Sequence, residues 1–227
     1  LSPDPENFAS LVESVRKRFE QEYRHEPFDL PPEVEAMPLF REWVSGALVG
    51  RISSPFWELA QIRKQHRCLD VGCGVSFLIY PWREWDAFFY GQEISVMARD
   101  ALNSRGSQLN SKLFKGVKLG PAHNLLYEDD TFDRAIATGF SCYYPLDYWA
   151  TVLQEVKRVL KPEGIFVCDF VNPSSEIAEN WSILELYLGV EVFLHPLDEV
   201  VNLVQAAGGK ITATKSGDLY QIYRVTF

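Results

Sequence analysis

Along the first 65 residues, apolar side chains recur at helical spacing and never alternate as a half-buried strand would. Phe8, Leu11, Val12, Val15, Phe19 and Tyr23 fall on one helical face. This predicts a helix over residues 4–24, capped by Asp4, with Pro5 at a first position that loses no useful N–H. Three prolines between Glu26 and Pro32 interrupt the pattern. A second apolar helical run extends from about Val34 to Gly50, bent near Pro38. Ser54-Pro55 then opens a third, carrying Phe56, Trp57, Leu59, Ala60 and Ile62.

From Arg67 the rhythm changes to short apolar runs alternating with helical patterns. Strands are predicted at Cys68 to Val71, Ala87 to Gln92, Gly116 to Leu119, Asp133 to Thr138 and Ile165 to Phe170. Between them the spacing predicts helices from Ser76 to Glu84, from Ser95 to about Ser104 and from Leu146 to Leu160, the last with Val152, Leu153, Val156 and Val159 on one face. Lys161-Pro162-Glu163-Gly164 is a stop-and-turn signal. A helix from His195 to Gly208 precedes two strand-like runs, Lys210 to Ser216 and Leu219 to Phe227, joined by Gly217-Asp218, a hairpin signal. The expected fold is α/β: a seven-stranded, mostly parallel sheet with an antiparallel C-terminal hairpin. An N-terminal helical segment, residues 1–65, precedes the α/β domain, residues 66–227.

At 227 residues, 47% of them hydrophobic, the chain can bury one sizeable core. Its net charge of −9 argues against nucleic acid as a partner, which demands clustered Lys and Arg. The densest basic run, Arg63-Lys64-Gln65-His66-Arg67, reads as the solvated end of a helix. Four cysteines at 68, 73, 142 and 168 form no Cys-x-x-Cys pair. They read as buried reduced thiols, with no metal site and a cytoplasmic setting expected. No apolar run has the length of a membrane span, and no charged-then-apolar leader precedes the first helix.

The chemistry concentrates where the first strand hands over to the first helix: Leu69-Asp70-Val71-Gly72-Cys73-Gly74-Val75-Ser76-Phe77. In an open parallel sheet, ligands bind beyond the carboxyl ends of the strands, near the reversal of strand order. Gly72 and Gly74 let a ligand approach the backbone, and the following helix offers N–H groups to an anion. Glu93, 23 residues after Asp70, stands at the predicted end of the second strand. A carboxylate there can accept from both hydroxyls of a ribose. The alternative is that the glycines form only a tight turn and that Glu93 is a solvated helix-start residue. A dinucleotide fingerprint would need a third glycine where Phe77 stands, which disfavours nicotinamide and flavin cofactors.

These residues resemble the class I methyltransferases that use S-adenosyl-L-methionine. Asp70-Val71-Gly72-Cys73-Gly74 is similar to their first motif, and Gly91-Gln92-Glu93-Ile94-Ser95 to their second-strand motif. Glu128-Asp129-Asp130-Thr131-Phe132-Asp133 resembles the segment before their fourth strand, and Val159-Leu160-Lys161-Pro162-Glu163-Gly164 their Leu-Lys-Pro-Gly-Gly turn. The resemblance implies that Asp70 holds the amino group of S-adenosylmethionine. Gly72, Cys73 and Gly74 would lie against its methionyl part, and Glu93 would clasp the ribose. Ile94, Ala122, His123 and Thr138 complete the implied cofactor contacts. Pro121 stands where many relatives have an Asp for the adenine amino group, and Ser76 replaces a glycine of the first motif.

The resemblance puts the reacting edge at Gly139-Phe140-Ser141-Cys142-Tyr143-Tyr144-Pro145. This stretch lacks the Asn/Asp-Pro-Pro-Tyr pattern of amide and nucleobase methyltransferases. Tyr143, Tyr144, His123 and His195 are the candidate acceptor-side or acid-base residues. Tyr80, Trp82 and Trp85 shape a pocket or simply pack. The implied function is transfer of a methyl group to a small molecule by in-line displacement. Non-catalytic cofactor binding, as a sensor or partner subunit, is the alternative. An aminopropyl transferase is disfavoured because residues 139–145 carry no acid. The helical front is expected to be either a lid, with Phe56 and Trp57 facing the acceptor, or a dimer face, the chain being a monomer or homodimer.

Overall fold

The structure, a computed structural model, describes residues 5–75, 82–110 and 112–227. One amphipathic helix, α1 (Pro5–Tyr23), leads the chain. The single bent helix expected over 34–50 is three short ones, α2 (Pro32–Glu35), α3 (Pro38–Val44) and α4 (Ala47–Ile52). Pro38 starts a new helix because it has no N–H to continue the old one, and Gly46 turns the chain with φ +76. A single helical turn, α5 (Trp57–Ala60), follows.

Seven strands then form one sheet: β1 (Arg67–Val71), β2 (Phe88–Glu93), β3 (Phe114–Leu119), β4 (Phe132–Ala137), β5 (Leu160–Val171), β6 (Lys210–Ser216) and β7 (Tyr220–Thr226). Their order is β3-β2-β1-β4-β5-β7-β6. The first five are parallel, while β7 pairs antiparallel with both β5 and β6. The expected fold class is the observed one. Interleaved are α6 (Trp82–Trp85), α7 (Val96–Asn110), α8 (Leu146–Val159), α9 (Ala178–Tyr187) and α10 (Leu197–Ala206). Most of the helix expected over 76–84, with Ser76, Phe77 and Tyr80, lies outside the described residues.

Two boundaries differ for identifiable reasons. Helix α7 runs past Gly106 to Asn110, because that glycine admits the Phe114 ring within 2.7 Å of where a Cβ would stand. The turn expected at 161–164 is a bulge inside β5. Pairing with β4 jumps from Phe132–Leu160 to Arg134–Ile165, and Glu163 takes φ +64. Helix α9 was not expected.

Alternation along the strands divides the core into two faces. Leu69, Val71, Ala135, Ala137, Phe166 and Cys168 point to the side covered by α1, α8, α9 and α10. Cys68, Phe89, Ile136, Val167 and Ile222 point to the other, against α5 and α7. Phe56 and Ala60 are buried on that second face, so α5 covers the flat of the sheet rather than the strand tips where Phe56 and Trp57 were expected. All four cysteines are buried and free. No helix among the described residues is long and apolar enough to cross a membrane.

Candidate functional site

Strand order reverses between β1 and β4, so the carboxyl ends of β1, β2 and β4 border the crevice that this topology opens. Leaving β1, the chain takes left-handed conformations at Gly72 (φ +65) and Gly74 (φ +51), which glycine adopts without a Cβ penalty. Gly72 and Cys73 donate their amides to the Gln92 carbonyl at 2.8 and 3.4 Å. The Gly74 amide donates to Glu93 Oε2 at 2.9 Å, and the Ser95 amide to Glu93 Oε1 at 2.9 Å. One carboxylate thus joins the tips of two neighbouring strands. Asp70, two residues before Gly72, is 2% exposed and Glu93 6%. Burial pushes the Glu93 carboxyl above its ordinary pKa, while the Ser95 and Gly74 amides pull it down. A carboxylate offers about four acceptor sites, so Glu93 can take a further donor beside these amides.

The 121–126 segment is held from below by Gln92, which is 1% exposed. Its amide donates to the carbonyls of Pro121 (2.7 Å) and Asn124 (2.9 Å) and accepts from the Leu126 amide (2.9 Å). This fixes Ala122, buried, and His123, half-buried, opposite Phe8 of α1. Burial lowers the His123 pKa, so its ring is neutral. Among the described residues its Nδ1 is buried without a hydrogen-bond partner, with the Tyr148 ring 5.0 Å away. Ile94 packs on the same core.

Thr138, half-buried, follows the last residue of β4, and Gly139 comes next with φ +81 and open space on its Cβ side. The Gly139 amide donates to Asp169 at 2.9 Å, and the Ser54 hydroxyl donates to Asp169 Oδ2 at 2.6 Å. Complete burial drives the Asp169 carboxyl up to about 7. Phe140 lays its ring within 2.8 Å of where a Gly72 Cβ would stand, and stacks on Trp149. Tyr144 stacks on Tyr148 at 4.0 Å, and Tyr143 packs edge-on against Phe19. Burial raises both phenols well above their ordinary pKa, so they retain their protons. His195 Nε2 lies 3.0 Å from the Tyr144 carbonyl. A carbonyl only accepts, so Nε2 carries a proton and donates it to that carbonyl.

Helix α1 crosses this edge. Phe8 reaches His123, and Phe19 reaches Tyr143. Glu20 accepts from the Ser95 hydroxyl at 3.3 Å, and the Tyr23 hydroxyl stands 3.7 Å from the Cβ position of Gly74. Arg18, buried, donates to both oxygens of Glu185 on α9 at 3.0 and 3.1 Å and also pairs with Glu22. A cavity of about 760 Å³ opens between α1, α3 and α7, lined by Tyr23, Phe28, Phe40, Trp43, Val75 and Ala101 among others.

The structure thus brings Asp70, Gly72, Cys73, Gly74, Glu93, Ile94, Ala122 and His123 to adjoining strand ends, with Thr138 on the far side of β1. Gln92 and Phe140 fall within stretches the sequence singled out, whereas Asp169 and Tyr23 carry no signal in the linear pattern as members of this edge. Trp85 packs with Phe56 and Phe89 on the second sheet face, away from the edge.

A family model described as a methyltransferase domain matches residues 69–168. That interval runs from the Asp70 strand through the Gly74–Glu93 junction to Cys168 in β5. Over it the chain is similar to methyltransferase domains. The chain is similar to a 24-methylenesterol C-methyltransferase of Oryza sativa subsp. japonica, 28% identical over 68% of this chain and 44% of that one. It is also similar to a demethylmenaquinone methyltransferase of Geobacillus sp. (strain WCH70), 28% identical over 71% of this chain and 64% of that one. The chain therefore spans less than two thirds of either relative. In fold it resembles the PH0226 protein from Pyrococcus horikoshii OT3, with a TM-score of 0.65, 18% identity, and coverage of 87% of this chain and 99% of that one.

Proposed function

We propose that the protein transfers the methyl group of S-adenosylmethionine to an apolar small-molecule acceptor. The observation that carries this reading is the Glu93 carboxylate held at the Gly74 turn, 2.9 Å from its amide, where two strand tips meet. Glu93 would accept from the ribose hydroxyls with its remaining lone pairs. Gly72, Cys73 and Gly74 would lie beneath the methionyl part, with Asp70 taking its ammonium. Ala122, His123 and Ile94 would border the adenine. The His123 Nδ1 in that region, buried without a partner among the described residues, supports the fit, since buried polar atoms normally have partners.

When bound, the cofactor supplies an activated methyl carbon on a sulfonium. The chain's task is then to align the acceptor and exclude water, and alignment alone can contribute about 7–11 kcal/mol. Phe140 and Thr138 would bound the reacting edge on the β4 side. Tyr143 and Tyr144 hold their protons and so cannot act as bases, whereas His195, when its ring is neutral, can accept one at Nδ1. The sterol and menaquinone methyltransferases among the similar proteins support an apolar acceptor, as does the absence of an acid or amide in residues 139–145.

Calorimetry with S-adenosylmethionine and S-adenosylhomocysteine tests the first half. Incorporation of labelled methyl into a panel of quinones, sterols and polar metabolites tests the second. Binding with incorporation into apolar acceptors is expected. Binding without incorporation across the panel would leave a cofactor-binding sensor, and transfer only to polar acceptors would remove the acceptor class.

A further inference from the structure

Three amides of the turn after β1 are engaged within the protein: Gly72 and Cys73 donate theirs to the Gln92 carbonyl and Gly74 donates to Glu93. An amino-acid tail laid along this turn carries a carboxylate, and a buried carboxylate without a donor is costly. A side chain from another element can supply that donor. Tyr23, the last residue of α1, places its hydroxyl 3.7 Å from where a Gly74 Cβ would stand. Burial and the nearby Glu93 charge keep that phenol protonated, and therefore a donor. Tyr23 lines the cavity between α1, α3 and α7 together with Val75, the residue after Gly74.

We infer that Tyr23 is a cofactor-positioning residue whose hydroxyl donates to the carboxylate of the cofactor's amino-acid tail, so that α1 completes the cofactor site. This rests on the cofactor placement proposed above. No motif of the strand-helix core contains Tyr23. The position is supplied by the helical front, brought to Gly74 by the packing of Phe19 on Tyr143 and the pairing of Arg18 with Glu185.

The test is calorimetric and independent of turnover. S-adenosylhomocysteine and 5′-methylthioadenosine share the adenosyl group and a neutral thioether, but only the first has the amino-acid tail. For Tyr23→Phe, the affinity for S-adenosylhomocysteine is expected to fall about ten- to a hundred-fold, the range for a hydrogen bond to a charged group. Affinity for 5′-methylthioadenosine should be unchanged, as should the melting temperature, because the ring and its contact with Phe19 remain. Equal weakening of both ligands, or of neither, overturns the inference. If the wild-type protein bound neither ligand, the cofactor placement itself would fall instead.

Discussion

Glu93 has two duties, and they separate on substitution. Its oxygens satisfy the amides of Gly74 and Ser95. Glu93→Ala would therefore leave two buried donors without acceptors, at about 1–3 kcal/mol each, as well as removing a ribose contact. Glu93→Gln keeps one amide-accepting oxygen and the side-chain shape. Both variants are expected to lose affinity for S-adenosylhomocysteine, with the alanine variant also melting several degrees lower. Equal melting of alanine variant and wild type would show that the carboxylate does not hold the turn. Asp169 offers a pH experiment. Its folded pKa of about 7 stands above the ordinary carboxylate value of 3.8, so the fold favours the protonated form. The resulting stability is present below pH 3.8 and is lost as pH rises towards 7, by up to about 4 kcal/mol. Asp169→Asn should match the wild type near pH 4 and exceed it progressively towards pH 8 in chemical unfolding. A gain independent of pH would assign the effect to packing rather than to ionisation.

At the scale of elements, α1 is tied to the rest by the buried Arg18–Glu185 pair and by Phe8 and Val15, both 2% exposed. Arg18→Met would strand the Glu185 carboxylate in a buried position and is expected to cost about 3–5 kcal/mol. The double variant Arg18→Met, Glu185→Leu should recover most of that loss, because a dry apolar pair carries no desolvation penalty. If the double variant were as unstable as the single one, the pair would hold α1 through its geometry rather than its charge. Among the elements the sequence disclosed are α1 and α8, whose apolar residues segregate to one face. In α9, Trp181, Leu184 and Glu185 are all buried while Leu186 and Tyr187 are exposed. No single stripe marks such a helix. Gly106 resembles a stop signal, yet it continues α7 because a ring from β3 needs its empty side.

For the whole molecule, the cover over the strand tips and the tips themselves are expected to respond to ligand together. Product binding should slow amide exchange in residues 15–23 of α1 and in the 72–75 turn, while leaving the β6–β7 edge unchanged. Protection confined to the turn would make α1 a structural cover only. The linear order of Asp70, the two glycines and Glu93, together with alternating strands and helices, determined the parallel sheet and the cofactor class. Those features depend on local spacing and on the few topologies a parallel sheet allows. Tertiary structure alone decided that the amides of Gly72, Cys73 and Gly74 are already engaged, that Phe140 lies on Gly72, and that Asp169 meets Ser54 across 115 residues. It also decided that Tyr23 comes from the front of the chain to the first strand's tip. Each of these depends on which surfaces pack face to face, and hydrogen bonds or burial between residues far apart in the chain leave no periodicity in it.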